Sequence, residues 1–221
     1  MEDILRQPLH ERALPGLHES LLRHIERVPR DASVLDVGCG TGAWMERLFN
    51  VGFRKIHGID IDLSALGSSH ATASTANLDE HELGLGHERY GLISAIEVIE
   101  HMENPGRFFS HMQTHLAKDG LLLLTSPNVQ SLRCRLRFLL SGKLQQFDEK
   151  ADPTHISPML FASLERILAK HNLEIAERWS FPEDGSSTIS RPAVRRVSRL
   201  LSAVLPNQFP GDIICLLIRK M

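Results

Sequence analysis

A chain of 221 residues, 42% hydrophobic and 24% charged, is long enough for one domain of ordinary size with a substantial core. Its formal net charge of −2 offers no global field to attract nucleic acid or an anionic membrane. Cys39, Cys134 and Cys215 stand far apart without a C-x-x-C pair, residues 1–16 are polar and charged, and no apolar run is long enough to span a bilayer. A single cytoplasmic, soluble domain over 1–221 is expected, without internal repeats and without a signal for any particular oligomeric state.

Within residues 4–28, Leu14, Leu17, Leu21, Leu22, Ile25 and Val28 recur at close to helical spacing, with Pro15 near the start and Pro29 ending the helix. His10 and His18 on this segment are expected to be solvated. Next comes the stretch that organises the chain, Val34-Leu35-Asp36-Val37-Gly38-Cys39-Gly40-Thr41-Gly42-Ala43-Trp44. Val34, Leu35 and Val37 read as a buried parallel strand, three alternate glycines as a sharp turn, and Ala43 to Phe49 as a helix. Such a turn lets a ligand approach the peptide groups closely, beneath a helix N-terminus with unpaired N–H groups. A dinucleotide fingerprint reads G-x-G-x-x-G. Here the order is G-x-G-x-G, with Asp36 two residues ahead, where a carboxylate suits an ammonium better than a phosphate.

Lys55 to Asp62 is a second strand ending in acids, and Asp60 lies 24 residues beyond Asp36. A carboxylate there can accept two ribose hydroxyls. The alternative is that Asp60 or Asp62 caps a following helix; ribose binding is assigned to Asp60 and capping to Asp62 or Ser64. Residues 64–91 are irregular, with a weak third strand near Ala71–Ala76. Leu92 to His101 is a fourth strand running into a turn, Arg107–Leu116 a helix, and Leu121–Ser126 an almost wholly apolar central strand. Residues 131–158 are a long connection containing Arg133, Arg135 and Arg137. A helix over Pro158–His171 and strands over Leu173–Phe181 and Asp212–Arg219 complete the pattern. Between those strands, Val194, Val197, Leu200, Leu201, Val204 and Leu205 are helically spaced opposite Arg191, Arg195, Arg196 and Arg199. A basic amphipathic helix over 191–205 packs on the domain or makes peripheral membrane contact.

Asp36-Val37-Gly38-Cys39-Gly40-Thr41-Gly42 resembles the first motif of class I S-adenosyl-L-methionine (SAM)-dependent methyltransferases. The resemblance implies an α/β, Rossmann-like, doubly wound seven-stranded sheet with a terminal antiparallel hairpin, and substrate-side insertions at about 131–158 and 182–210. It implies SAM as cofactor, held by Asp36, Gly38, Cys39, Gly40, Gly42, Asp60, Ile61, Asn77, Ile96 and Glu97. Where similar enzymes carry an Asp-Leu-Asn or Gly-Asp step for the adenine, this chain reads Asn77-Leu78-Asp79, with amide and acid exchanged. The whole stretch from about 15 to 220 is similar to small bacterial methyltransferases found near cell-surface sugar and natural-product genes.

Glu97, Glu100 and His101 stand at i, i+3 and i+4, a spacing that shares one face of a helical turn, and Asp152-Pro153-Thr154-His155 follows downstream. The pattern resembles the ubiquinone-biosynthesis O-methyltransferases, and also the small-RNA 3′-terminal 2′-O-methyltransferases, in which such a quartet holds a metal. Three readings stay open. Glu97, Glu100, His101 and His155 hold a divalent metal; or His101 or His155 is a catalytic base for a hydroxyl acceptor; or the four only shape the pocket and its turns. The function implied is methyl transfer to a small-molecule acceptor, with a hydroxyl oxygen as target. A metal-dependent RNA ribose methyltransferase and a non-catalytic SAM-binding protein are the alternatives. Nucleic acid is disfavoured because no RNA-binding module is evident.

Overall fold

The structure is a computed structural model that describes residues 9–186, 196, 201, 205 and 209–221. The strands are β1 (Ser33–Val37), β2 (Lys55–Asp60), β3 (Thr72–Thr75), β4 (Tyr90–Ile96), β5 (Leu116–Pro127), β6 (Leu173–Phe181) and β7 (Ile213–Lys220). They form one seven-stranded sheet in the order β3-β2-β1-β4-β5-β7-β6. Neighbours among the first five run parallel, while β7 lies antiparallel between β5 and β6. The expected doubly wound sheet with its antiparallel end is the fold found. Strand order reverses between β1 and β4, so the crevice beyond their C-terminal ends is where an open α/β sheet takes its ligand.

Both faces of the sheet are covered, which is why its central strands are apolar without alternation. On one face Leu35, Ile93, Leu122, Leu124 and Leu216 pack against Phe108, Phe109 and Met112 of α3 (Pro105–His115) and Leu164 and Leu168 of α5 (Phe161–Lys170). On the other, Val34, Leu92, Leu123 and Leu217 meet Leu17 and Leu21 of α1 (Leu17–Leu22) and Met45 and Leu48 of α2 (Ala43–Asn50). Helix starts follow local chemistry. Asn104 caps α3 by accepting Arg107 N at 2.9 Å, with Pro105 at the first position. Gly42, in the left-handed region at φ 81°, turns the chain into α2.

Several expectations change. The leading helix starts just after Pro15, as expected, behind a left-handed Gly16 (φ 83°), but it is shorter than its stripe: α1 gives way to a 3-10 turn, Arg23–Ile25, before Pro29. His18 is buried instead of solvated: it shares the stripe of Leu14, Leu21 and Ile25. No helix lies between β2 and β3, so Asp62 caps a turn instead, accepting Ser64 N and Oγ at 2.8 Å. The first part of the 131–158 connection is a helix, α4 (Leu132–Ser141), capped by Ser131 and ended by a left-handed Gly142. The basic stripe of 191–205 lies outside the described residues, except for the exposed Arg196 and Leu205 and the half-buried Leu201. Among the described residues no helix is long and apolar enough to cross a membrane.

Candidate active site

A cavity of about 1040 Å³ opens at the switch point. It brings together Asp36, Gly38, Cys39, Gly40, Asp60, Ile61, Asn77, Ile96, Glu97, His101 and His155 from the sequence-based set. Gly42 and Glu100 are not among its lining residues. A second cavity, about 770 Å³, begins at Ser33 and Lys55, the N-terminal ends of β1 and β2, away from the carboxyl ends where an open α/β sheet takes its ligand.

One end is the glycine turn. Gly38, Gly40 and Gly42 all have positive φ, at 71°, 50° and 81°. A Cβ on Gly38 would strike Val98, whereas one on Gly40 would meet nothing closer than Arg12 Cδ at 4.0 Å. Gly40 therefore leaves an open cradle over the peptide plane. Gly38 N and Cys39 N both donate to Ile59 O, at 2.8 and 3.1 Å, pinning the turn to β2. Asp36 lies beneath, buried, accepting Ser94 Oγ at 2.7 Å, and burial pushes its carboxyl up to about 7. Burial also drives the Cys39 thiol up to about 12, which removes thiolate chemistry. At the end of β2, Asp60 accepts Gly40 N at 2.8 Å and Asp62 N at 3.1 Å, one on each oxygen, leaving further lone pairs toward the cavity. Ile61 beside it is 68% exposed, an apolar side chain held open at the cavity wall.

The exchanged step at 77–79 has a local cause. Asp79 accepts Glu103 N and Asn104 N, at 3.1 and 2.9 Å, and so anchors the entry to α3. Asn77 lines the cavity, with its Oδ1 also accepting Asp79 N at 3.1 Å.

The other end is built by the turn after β4 and by residues 145–155. Glu97, Glu100 and His101 do not share one helical turn. Glu97 has left-handed backbone (φ 55°), and only Ile99–His101 form a 3-10 turn. Glu97 Oε1 accepts from Thr125 Oγ1 at 2.9 Å, and Glu97 N donates to the same hydroxyl at 3.0 Å. Its carboxyl is pushed up to about 7 by burial. Ligand atoms of Glu100, His101 and His155 lie within 4.8 Å of one another, and Glu97 is not part of that group. Glu100 is fully buried, and neither carboxylate oxygen has a hydrogen-bond partner among the described residues. Burial and the neighbouring Glu97 hold its pKa well above the usual range. His101 and His155 meet edge to face, with ring centroids 4.8 Å apart. Burial and His155 lower the pKa of His101, against smaller opposing effects of Thr154 and Asp152.

Asp152 and Thr154 of the downstream motif also line the cavity, together with Arg12, His18, Trp44 and Gln146, which no motif singled out. The rings of His18 and Trp44 lie 5.3 Å apart, both buried. The apolar stripe of the leading helix was the available signal for His18, since it falls four residues after Leu14 and three before Leu21.

A family model described as a methyltransferase domain matches residues 9–178. The chain is 29% identical over 107 residues to the ubiquinone biosynthesis O-methyltransferase of Glaesserella parasuis, covering 43% of this chain and 45% of that protein. It is 29% identical over 136 residues to the ubiquinone biosynthesis O-methyltransferase of Bradyrhizobium diazoefficiens, covering 55% and 53%. The chain spans about half the length of these curated relatives. Among solved structures, a SAM-dependent methyltransferase from Archaeoglobus fulgidus has a similar fold, with a TM-score of 0.62 at 20% identity over 92% of each chain.

Proposed function

The chain belongs to the methyltransferase-domain family, and from that premise we propose that it transfers a methyl group from SAM to a hydroxyl oxygen of a small-molecule acceptor. Support comes from one arrangement above all: a glycine cradle over a buried carboxylate and a pair of imidazoles beside an unpartnered carboxylate open into the same cavity. The donor set fits SAM part by part. Asp36 would meet the ammonium, Gly38–Gly42 would take the amino-acid part against bare peptide groups, and Asp60 would accept the ribose hydroxyls. Ile61 and Asn77 would flank the adenine, with the backbone at Ile96 and Glu97 beneath the adenosyl part. Bound there, SAM supplies an electrophilic methyl on a sulfonium.

The protein's own share is position and proton transfer. Aligning acceptor and donor supplies much of such a rate acceleration. On this reading the acceptor oxygen lies beside His101 and His155, and an imidazole takes the hydroxyl proton as the methyl–oxygen bond forms and the methyl–sulfur bond breaks. The names of the curated relatives favour an oxygen acceptor, and the sequence resemblance adds sugar, quinone and natural-product types as candidates. Net charge of −2 favours such a molecule over RNA.

Titration calorimetry with SAM tests the cofactor half. We expect a single site that disappears in Asp36→Asn, and a wild-type chain without SAM binding would sink the proposal. A second reading is favoured by the mutual approach of Glu100, His101 and His155, which offer one oxygen and two nitrogen ligands to a divalent cation. Metal analysis of the purified chain decides it. One equivalent lost in His155→Ala supports ligation, and a metal-free chain that still binds SAM leaves the imidazoles as bases.

A further inference from the structure

The acceptor end of the cavity can be read hydrogen by hydrogen. Thr154 Oγ1 donates its one hydrogen to Asp152 Oδ1 at 2.6 Å, in a turn where the same oxygen accepts Thr154 N at 2.9 Å. That hydroxyl oxygen also lies 2.8 Å from His101 Nδ1. A hydroxyl whose hydrogen is already committed can only accept. Nδ1 of His101 is therefore the protonated nitrogen, and Nε2 carries the bare lone pair. His155 arrives at the same state by a different route. Its Nδ1 lies 2.8 Å from the carbonyl oxygen of Gln146, which has no hydrogen to give. Two side chains on separate segments thus have the same tautomer imposed by partners outside the pair.

Resting on the hydroxyl-acceptor reading, we propose that Asp152 and Thr154 are positioning residues that lock His101 as its Nδ1–H tautomer, and that Gln146 does the same for His155. The paired Nε2 lone pairs then make this end of the cavity a receiver of hydrogen, selective for an acceptor that presents a hydroxyl. A group that can only accept hydrogen bonds, such as an ether or a ketone, finds no ring N–H donor at either Nε2. The lock costs nothing to the cofactor end, because none of its members touches the glycine turn, Asp36 or Asp60. Neither Asp152 nor Thr154 needs to touch the substrate. Their effect passes through one imidazole.

The test uses the full chain labelled with ¹⁵N-histidine, with long-range ¹⁵N–¹H spectra of the rings and assignment of His101 by its loss in His101→Gln. The wild-type chain should show Nδ1 protonated and Nε2 bare for His101. Thr154→Ser should preserve that pattern, and Thr154→Val should move the hydrogen to Nε2 or mix the two forms. A wild-type ring protonated on Nε2, or a Thr154→Val spectrum identical to wild type, overturns the lock. Phenol and its methyl ether anisole then probe selectivity at equal concentration. Phenol should shift the Nε2 signals of His101 and His155 while anisole leaves them in place; equal shifts, or none with phenol, overturn the hydrogen-receiving site. SAM calorimetry on Thr154→Val should give an affinity within about twofold of wild type, since the lock stands apart from the cofactor end. Loss of SAM binding in the wild type would instead overturn the methyltransferase reading, with the tautomer result still standing.

Discussion

Asp36 concentrates the chemistry of the cofactor end in one titrating group. Free, its carboxyl is raised to about 7 by burial, with Ser94 opposing and Asp60 adding to the shift. An ammonium needs the ionised form, so binding SAM must expel the proton wherever pH lies below that value. The expected outcome is an affinity that falls roughly tenfold per pH unit below about 7 and flattens just above it, until the ligand's own amino group loses its proton at about 8. Calorimetry between pH 5.5 and 8 reads it directly, and a flat wild-type profile would contradict the role given to Asp36. The same shift acts on stability in the opposite sense from a salt-bridged acid. Between the unfolded value of 3.8 and about 7 the folded state holds a proton that the unfolded chain has lost, so stability falls as pH rises through that window. Histidines such as His18 and His115, whose pKa values burial lowers, pull the other way below their ordinary value. The difference between Asp36→Asn and wild type isolates the carboxyl. The variant's advantage in Tm should grow from pH 4.5 to 7.5, and a constant difference would show that Asp36 is not perturbed. Asp36 and its glycines were legible in the sequence because their geometry is local: one strand end, one turn and one helix start. The tautomers of His101 and His155 were not, since Thr154 and Gln146 reach those rings only after 142–158 folds back over the sheet.

Among elements, α4 shows how a motif can be seen and its purpose missed. Arg133, Arg135 and Arg137 stand out in the sequence as a basic cluster on the substrate side. Arg133 is in fact buried, and it donates to Gly185 O at 2.6 Å, Pro210 O at 2.7 Å and Asp212 Oδ1 at 2.9 Å. It ties α4 to both ends of the connection between β6 and β7, and Asn128 adds bonds to Phe209 O and Gly211 O at 2.9 Å. Arg137, paired with Asp148, is the member that lines the cavity. Because Arg133 and Asp212 are both buried, deleting one partner strands the other charge. Arg133→Met should cost about 3–5 kcal/mol in denaturant unfolding, and Arg133→Met with Asp212→Leu should recover much of it. A single variant within about 1 kcal/mol of wild type would remove this ion pair from the account of stability. The sequence could not separate a gripping arginine from a structural one, because all three fall in what reads as a long connection and burial is decided by the far-off segment at 210–212.

At the scale of the molecule, strand order divides the cavity in two. β1, β2 and β3 end at the proposed cofactor side, β4 ends between the two at Ile96 and Glu97, and the turn after β4 with the 142–158 connection forms the proposed acceptor side. Alternation between apolar strands and helical patterns placed the elements along the chain, and the resemblance of the glycine turn to class I methyltransferases implied the doubly wound sheet with its antiparallel end. The missing helix between β2 and β3 was not legible, since a polar run such as 64–71 is compatible with either a helix or turns. Division of the cavity predicts division of phenotype. His155→Ala should leave SAM affinity within about twofold of wild type while weakening the response of the acceptor end to phenol. Gly38 is the position where the two sides meet, because a Cβ there would lie 2.5 Å from Val98 Cγ2, one residue before the turn that carries Glu100 and His101. Its φ of 71° also disfavours any side chain. Gly38→Ala should therefore lower stability by about 1–3 kcal/mol, weaken SAM binding and displace the ring signals of His101 together. If instead SAM binding weakens while the His101 signals stay fixed, the two ends are mechanically independent, and Val98 does not carry strain from the glycine turn to the imidazoles.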